Sequence, residues 1–189
     1  MAFGDRKKKK YAEFIETASG EVVYVGKYYV YKPDNPLPYN RYRIALALCC
    51  TGAAALVAAA GLYRAPGMDR TLYVLLPYVI LLGFTALMCY RGAKVVRAGN
   101  PLRAFDHRNA LGPMQHWALA SAVFAAILLV CYFVHLVRAG TEGCSMAAVV
   151  SFPLMIALIA VSDLGLLYVV RKNGWREAEE TPDSGEKEE

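Results

Sequence analysis

Four long apolar runs constrain this chain more than any other feature. They cover residues 44–63, 71–90, 117–137 and 146–170, and none of them contains lysine, arginine or glutamate. A helix needs ~20 apolar residues, at a rise of ~1.5 Å each, to cross ~30 Å of hydrocarbon. The runs therefore predict an all-α membrane protein, with a four-helix transmembrane bundle in residues 41–175.

Composition excludes other classes of protein. Hydrophobic residues make up 57% of the 189-residue chain and charged residues 20%. This excludes disorder for most of the chain, and it excludes a soluble enzyme with a charged surface. The sequence contains no glycine-rich nucleotide loop and no hydrolase or metalloprotease motif, and its five cysteines and three histidines lack metal-ligand spacing. We therefore predict a protein that is not an enzyme and has no catalytic residue, metal or cofactor.

Basic residues predict the orientation. Of the 21 lysines and arginines, 18 lie before the first run, between the second and third, or after the fourth. By the positive-inside rule, both termini and the central loop are cytoplasmic. No apolar stretch typical of a cleaved signal follows the basic run at residues 6–10. Together with the short loops, this favours a multi-pass protein of a bacterial plasma membrane.

Many of these basic residues are expected beside the membrane surface. There they attract anionic lipid headgroups, by ~1 kcal/mol per residue, and we prefer this interpretation to nucleic-acid binding. The predicted lipid contacts are Lys7, Lys8, Lys9, Lys10, Arg91, Lys94, Arg97, Arg103 and Arg108.

The segments outside the four apolar runs are predicted to adopt different structures. Residues 1–40 combine the basic segment with β-branched and aromatic runs, which predict a β-hairpin or a three-stranded meander, and then a proline-rich linker. So small a sheet needs another surface, which a partner's strand, a second copy or the central loop would supply. In that loop, residues 102–110 predict a short interfacial helix, and Pro113 marks the start of the third span. Residues 176–189 are acidic and predict a disordered tail.

One carboxylate lies inside a span, in a layer of small polar residues at one depth. An intramembrane aspartate normally faces the interior of a bundle or water. Two roles remain open for it, namely a proton or cation site and a hydrogen-bonding node that joins helices. The layer consists of Thr51, Thr85, Ser121, Ser162 and Asp163.

The first run carries a ridge of small residues, Ala47, Thr51, Ala55 and Ala59, at four-residue spacing. Such a ridge lets a neighbouring backbone approach closely. It predicts that the first helix is central in the bundle or that it forms a dimer face.

Two functions follow from these patterns. The first is a scaffold or regulatory accessory protein that binds a protein partner through its cytoplasmic N-terminal unit. The alternative is a small proton- or ion-coupled transport component that works as a homo-oligomer around Asp163.

Overall fold

The computed structural model describes residues 14–16, 20, 22–24, 26–62, 68, 71–140 and 146–178. Four helices in it are long and apolar enough to cross a membrane. They are α1 (Tyr39–Leu62), α2 (Leu72–Ala98), α3 (Ala104–Ala139) and α4 (Met146–Lys172). The predicted mostly helical architecture is confirmed at this level.

The helices form an up-down bundle in which each packs on two neighbours. Helix α1 lies between α2 and α4, and α3 closes the ring on the other side. Gly99 and Gly140 end α2 and α3 with φ values of +78° and +73°, a conformation that glycine adopts without a Cβ clash. Buried apolar residues form one cluster towards each end of the bundle.

Helix α3 begins earlier than the sequence predicts. Its first turn, Ala104–Asp106, passes into a π-helical turn, His107–Leu111, and then into regular helix from Gly112. The predicted interfacial helix is thus the first part of α3, while Leu102 and Arg103 form a strand. Pro113 has no N–H to donate to the carbonyl four residues earlier, that of Asn109. Arg91 of α2 donates to that carbonyl through Nη1 instead.

Among the described residues, five short strands form two sheets. Strands β1 (Phe14–Glu16) and β2 (Val22–Tyr24) pair antiparallel as a hairpin. A second sheet has the order β4-β3-β5, with β3 (Tyr28–Tyr31) between β4 (Leu102–Arg103) and β5 (Trp175–Glu177). Both pairings are antiparallel, with Tyr29 opposite Leu102 and Tyr31 opposite Trp175. We call this second sheet the cap.

The cap distinguishes between the two predicted N-terminal arrangements and corrects the predicted start of the tail. Of the two N-terminal arrangements, the hairpin forms and the meander does not, because β3 pairs with the central loop, one of the surfaces expected to cover it. The tail does not begin at residue 176, since Arg176 and Glu177 belong to β5. Backbone bonds to β3 order this segment, including Ala178 N to the Tyr28 carbonyl at 2.8 Å. Residues 179–189 lie outside the described residues.

Candidate functional site

The cap unites three distant parts of the chain at one end of the bundle. Strand β3 leads into α1, β4 connects α2 to α3, and β5 follows α4. The start of α1, the end of α2, the start of α3 and the end of α4 therefore lie together at one end of the bundle. We call this the cap end.

Tyr31 anchors the cap to the bundle. Its side chain is buried, and its hydroxyl lies 2.6 Å from Asn173 Oδ1 and 2.7 Å from the Leu37 carbonyl, either of which accepts its single hydrogen. Burial raises the pKa of Tyr31, so this hydroxyl remains a donor at neutral pH. The rings of Tyr39, Tyr42 and Trp175 surround it with centroids 5.2 to 5.5 Å away.

Three asparagines complete the junction. Asn173, buried at the end of α4, donates to the Val169 carbonyl at 2.7 Å, which satisfies one of the unpaired carbonyls of that helix end. Asn35 bonds both the N–H and the carbonyl of Gly174, as a neighbouring strand would. Asn100, just after α2, accepts from the Tyr31 N–H at 3.1 Å.

Sequence reasoning missed these asparagines. The signal that was available is Asn173-Gly174 directly after an apolar helix, a common helix-ending pair. Nothing local in the sequence links Asn100 or Asn173 to a tyrosine 69 or 142 residues away.

The polar layer assembles in part. Asp163 is 1% exposed, Ser121 is fully buried and Thr85 is 2% exposed. Ser162 is half-buried and donates to the Cys49 carbonyl of α1 at 3.0 Å, while Thr85 donates to its own helix at Leu81.

Thr51 does not join them. It is exposed and donates to the Ala47 carbonyl at 2.8 Å. Cys50 is the residue that α1 buries at this depth, and it contacts α2, where the Cys89 thiol donates to the Cys50 carbonyl at 3.1 Å. One residue corresponds to ~100° of helix rotation, which is enough to exchange the inner and outer faces.

The Asp163 carboxyl is the unusual group of this layer. Ser121 of α3 faces it, and the thiols of Cys49, Cys50 and Cys89 lie within its electrostatic reach. No hydrogen bond of ordinary geometry reaches either Asp163 oxygen or the Ser121 hydroxyl from the described residues.

No metal centre is seen in the part of the chain that the structure describes. Its histidines, cysteines and acidic residues do not form a group of three that could hold an ion. The layer therefore offers one carboxyl group, one hydroxyl and nearby thiols, which suit proton binding or helix packing.

The ridge of small residues faces outward. Thr51 and Ala55 are exposed and Ala47 and Ala59 are half-buried. The buried face of α1 is a different one, consisting of Tyr42, Leu46, Cys50, Ala53, Val57 and Ala60. The ridge therefore lies on the outer surface of α1 and is not the face that packs on α2 and α4.

The described basic residues of the predicted lipid contacts all lie at the cap end. Arg97, Arg103 and Arg108 are exposed, and the Lys94 ammonium lies 4.9 Å from the centre of the Tyr90 ring. Arg91 is half-buried and tied to Asn109. Lys7, Lys8, Lys9 and Lys10 lie outside the described residues.

Comparison with protein-family models, with curated proteins and with solved structures finds no match to this chain.

Proposed function

We propose that this protein is a multi-pass integral membrane protein that serves as a scaffold or accessory subunit, with both termini and the central loop in the cytoplasm. The cap is the observation that carries the proposal. Because one sheet joins segments from before α1, between α2 and α3, and after α4, these segments share one side of any membrane that the helices cross. The excess of lysine and arginine in the same segments favours the cytoplasmic side.

The β1–β2 hairpin is the surface that we assign to partner binding. It forms a sheet of two strands, separate from the cap. A two-stranded sheet has an unpaired edge on each strand, and such edges accept a further strand. The partner would add an extended segment there.

Co-purification tests this role. The full chain and a variant lacking residues 2–25 are tagged at the C-terminus and purified from their native membrane in mild detergent. The deletion removes the hairpin and spares β3 and the cap. We expect the full chain to retain a stoichiometric partner that the deletion variant loses.

The matched control keeps the hairpin and changes an exposed residue of the cap, Arg176→Gln in β5. It should retain the partner. Retention of the same partner by the deletion variant would refute binding through the hairpin.

Transport around Asp163 is the second candidate, favoured by a buried carboxyl that no hydrogen bond of ordinary geometry reaches from the described residues. It predicts that Asp163→Asn abolishes pH-dependent flux in proteoliposomes, while Ser121→Ala reduces it. Flux of wild-type size through the Asn variant would exclude this role for Asp163.

A further inference from the structure

A groove on the outer surface of α1 and α2 lies at the cap end. It has a volume of about 390 Å³ and is lined by Asn40, Arg43, Ile44, Ala47 and Val96. One end is polar and cationic, and the other end is apolar. The small-residue ridge begins at the apolar end of the groove, since Ala47 belongs to both.

Arg43 is held in place in this groove. Its Nη2 donates to the Val96 carbonyl at 2.8 Å, one of the last carbonyls of α2, and its guanidinium lies 5.6 Å from the centre of the Tyr39 ring. The Nε–H of the same group is buried and has no acceptor among the described residues. Because the Nε–H is buried, a ligand in the groove would be bound by the remaining hydrogens of the two Nη groups. A guanidinium that is already held in place loses little side-chain freedom when it binds an oxyanion.

The apolar end matches a hydrocarbon chain. Ile44 is 59% exposed beside Ala47, and Thr51 and Ala55 continue the small-residue ridge along the helix. From Ala47 to Ala55 the ridge runs about 12 Å towards the middle of the bundle. The guanidinium at the end of the span matches the phosphate of a phospholipid, and the apolar ridge that runs inward from it matches an acyl chain.

We propose that this groove binds one anionic phospholipid, with its phosphate on Arg43 and Asn40 and an acyl chain along Ala47, Thr51 and Ala55. The site rests on the membrane insertion proposed above. The exposed basic residues attract any anionic lipid near the surface. This site differs because it would hold one lipid molecule in a defined groove.

Charge favours a lipid over a second copy of the chain. Two copies with the same orientation in a membrane that meet through α1 contact each other with the same surface. That arrangement brings Arg41 and Arg43 of one copy to the depth of the same residues of the other, and like charges repel. An anionic headgroup neutralises them.

Native mass spectrometry of the full-length protein in detergent tests the site. The probes are dioleoyl phosphatidylglycerol, dioleoyl phosphatidylcholine and inorganic phosphate. We expect one phosphatidylglycerol to be retained at least tenfold more than phosphatidylcholine, with no retention of phosphate alone. Equal retention of the two lipids, or binding of inorganic phosphate alone, would overturn the proposal.

Two pairs of variants locate the lipid. Ala47→Leu fills the groove without changing charge and should reduce phosphatidylglycerol retention at least tenfold, while Ala58→Leu, at another exposed position of α1, should leave it unchanged. Arg43→Gln should also lose the lipid, and Arg171→Gln, at an exposed position at the cap end of α4, should keep it. If Arg43→Gln does not fold, the alanine pair decides alone.

Two outcomes contradict the site. Retention that is insensitive to Ala47→Leu would show that the lipid binds elsewhere, and a dimer that this substitution dissociates would show that the groove holds a second copy. Alkaline carbonate extraction separates this failure from that of the proposed function. Release of the protein by carbonate would refute membrane insertion itself, whereas an integral protein that retains no lipid refutes only the groove.

Discussion

Ser162 and Ser121 occupy the same layer of the bundle but differ in their hydrogen bonds. Ser162 joins α4 to α1 through the Cys49 carbonyl at 3.0 Å, whereas the described residues offer the Ser121 hydroxyl no bond of ordinary geometry. Hydrogen bonds between membrane helices contribute about 0.6 kcal/mol on average and up to about 1.7 kcal/mol.

We therefore expect Ser162→Ala to destabilise the protein by about 0.5–1 kcal/mol and Ser121→Ala to be close to neutral. Thermal unfolding in detergent, followed by circular dichroism, measures both. A larger loss from Ser121→Ala would mean that its pairing with Asp163 is the stronger interaction.

Tyr31 tests the junction between cap and bundle. Tyr31→Phe removes the single hydroxyl hydrogen that either Asn173 Oδ1 or the Leu37 carbonyl accepts, so we expect a loss of about 1–2 kcal/mol. Tyr168→Phe, at a side chain that is 64% exposed, is the control and should have almost no effect. Equal unfolding midpoints for the two variants would contradict the anchoring role.

The same residue gives a pH dependence. Because burial raises the pKa of folded Tyr31 above its usual 10.0, its contribution is complete below pH 10 and is lost as the pH rises through the folded pKa. The stability of the wild type should therefore decline more steeply above pH 10 than that of Tyr31→Phe. Denaturant midpoints at pH 8 and pH 11 compare them.

The sequence predicted the depth of the polar residues but not the side of each helix they occupy. Depth follows from counting residues inward from the ends of an apolar run. Rotation normally follows from an amphipathic pattern, and residues 44–62 of α1 carry apolar side chains on every face, so nothing distinguished Thr51 from Cys50.

At the scale of elements, Pro113 and Arg91 act on the same group, the backbone carbonyl of Asn109. Proline removes the donor for the Asn109 carbonyl, and the arginine supplies another. Arg91→Gln should therefore destabilise the wild type by about 1–2 kcal/mol. In a Pro113→Ala background the loss should be smaller, because the new alanine N–H restores a donor.

A double-mutant cycle of detergent unfolding measures this coupling. Additive effects of Arg91→Gln and Pro113→Ala would show that the arginine does not serve the carbonyl freed by the proline.

The four helices were predictable and the cap was not, for one physical reason. A helix completes its backbone hydrogen bonds within a single segment, so twenty apolar residues suffice to predict it. Strands β4 and β5 have two and three residues, and their pairing with β3 depends on distant neighbours rather than on local pattern. The composition of Tyr28–Tyr31 indicated a strand but not its partners.

At the scale of the whole molecule, the two ends of the bundle should differ in their access to a reagent that cannot cross the membrane. We expect an impermeant maleimide applied to intact cells to modify Cys144, in the short segment between α3 and α4, and not a cysteine placed at Ser184. Peptide mass spectrometry locates the label, and Cys144→Ala is the control. Modification at position 184 with Cys144 unlabelled would reverse the proposed orientation.

The cap also relates the fold to the order in which the chain is made. The central strand of the cap is synthesised before its two neighbours, and one of these, β5, follows the last helix. Asn173, which bonds the Tyr31 hydroxyl, comes 142 residues later in the chain. Contacts of such long sequence separation form late, because a long loop must close before they contribute any stability. The cap therefore cannot form until the fourth helix has been synthesised, so this end of the bundle is closed only late in folding.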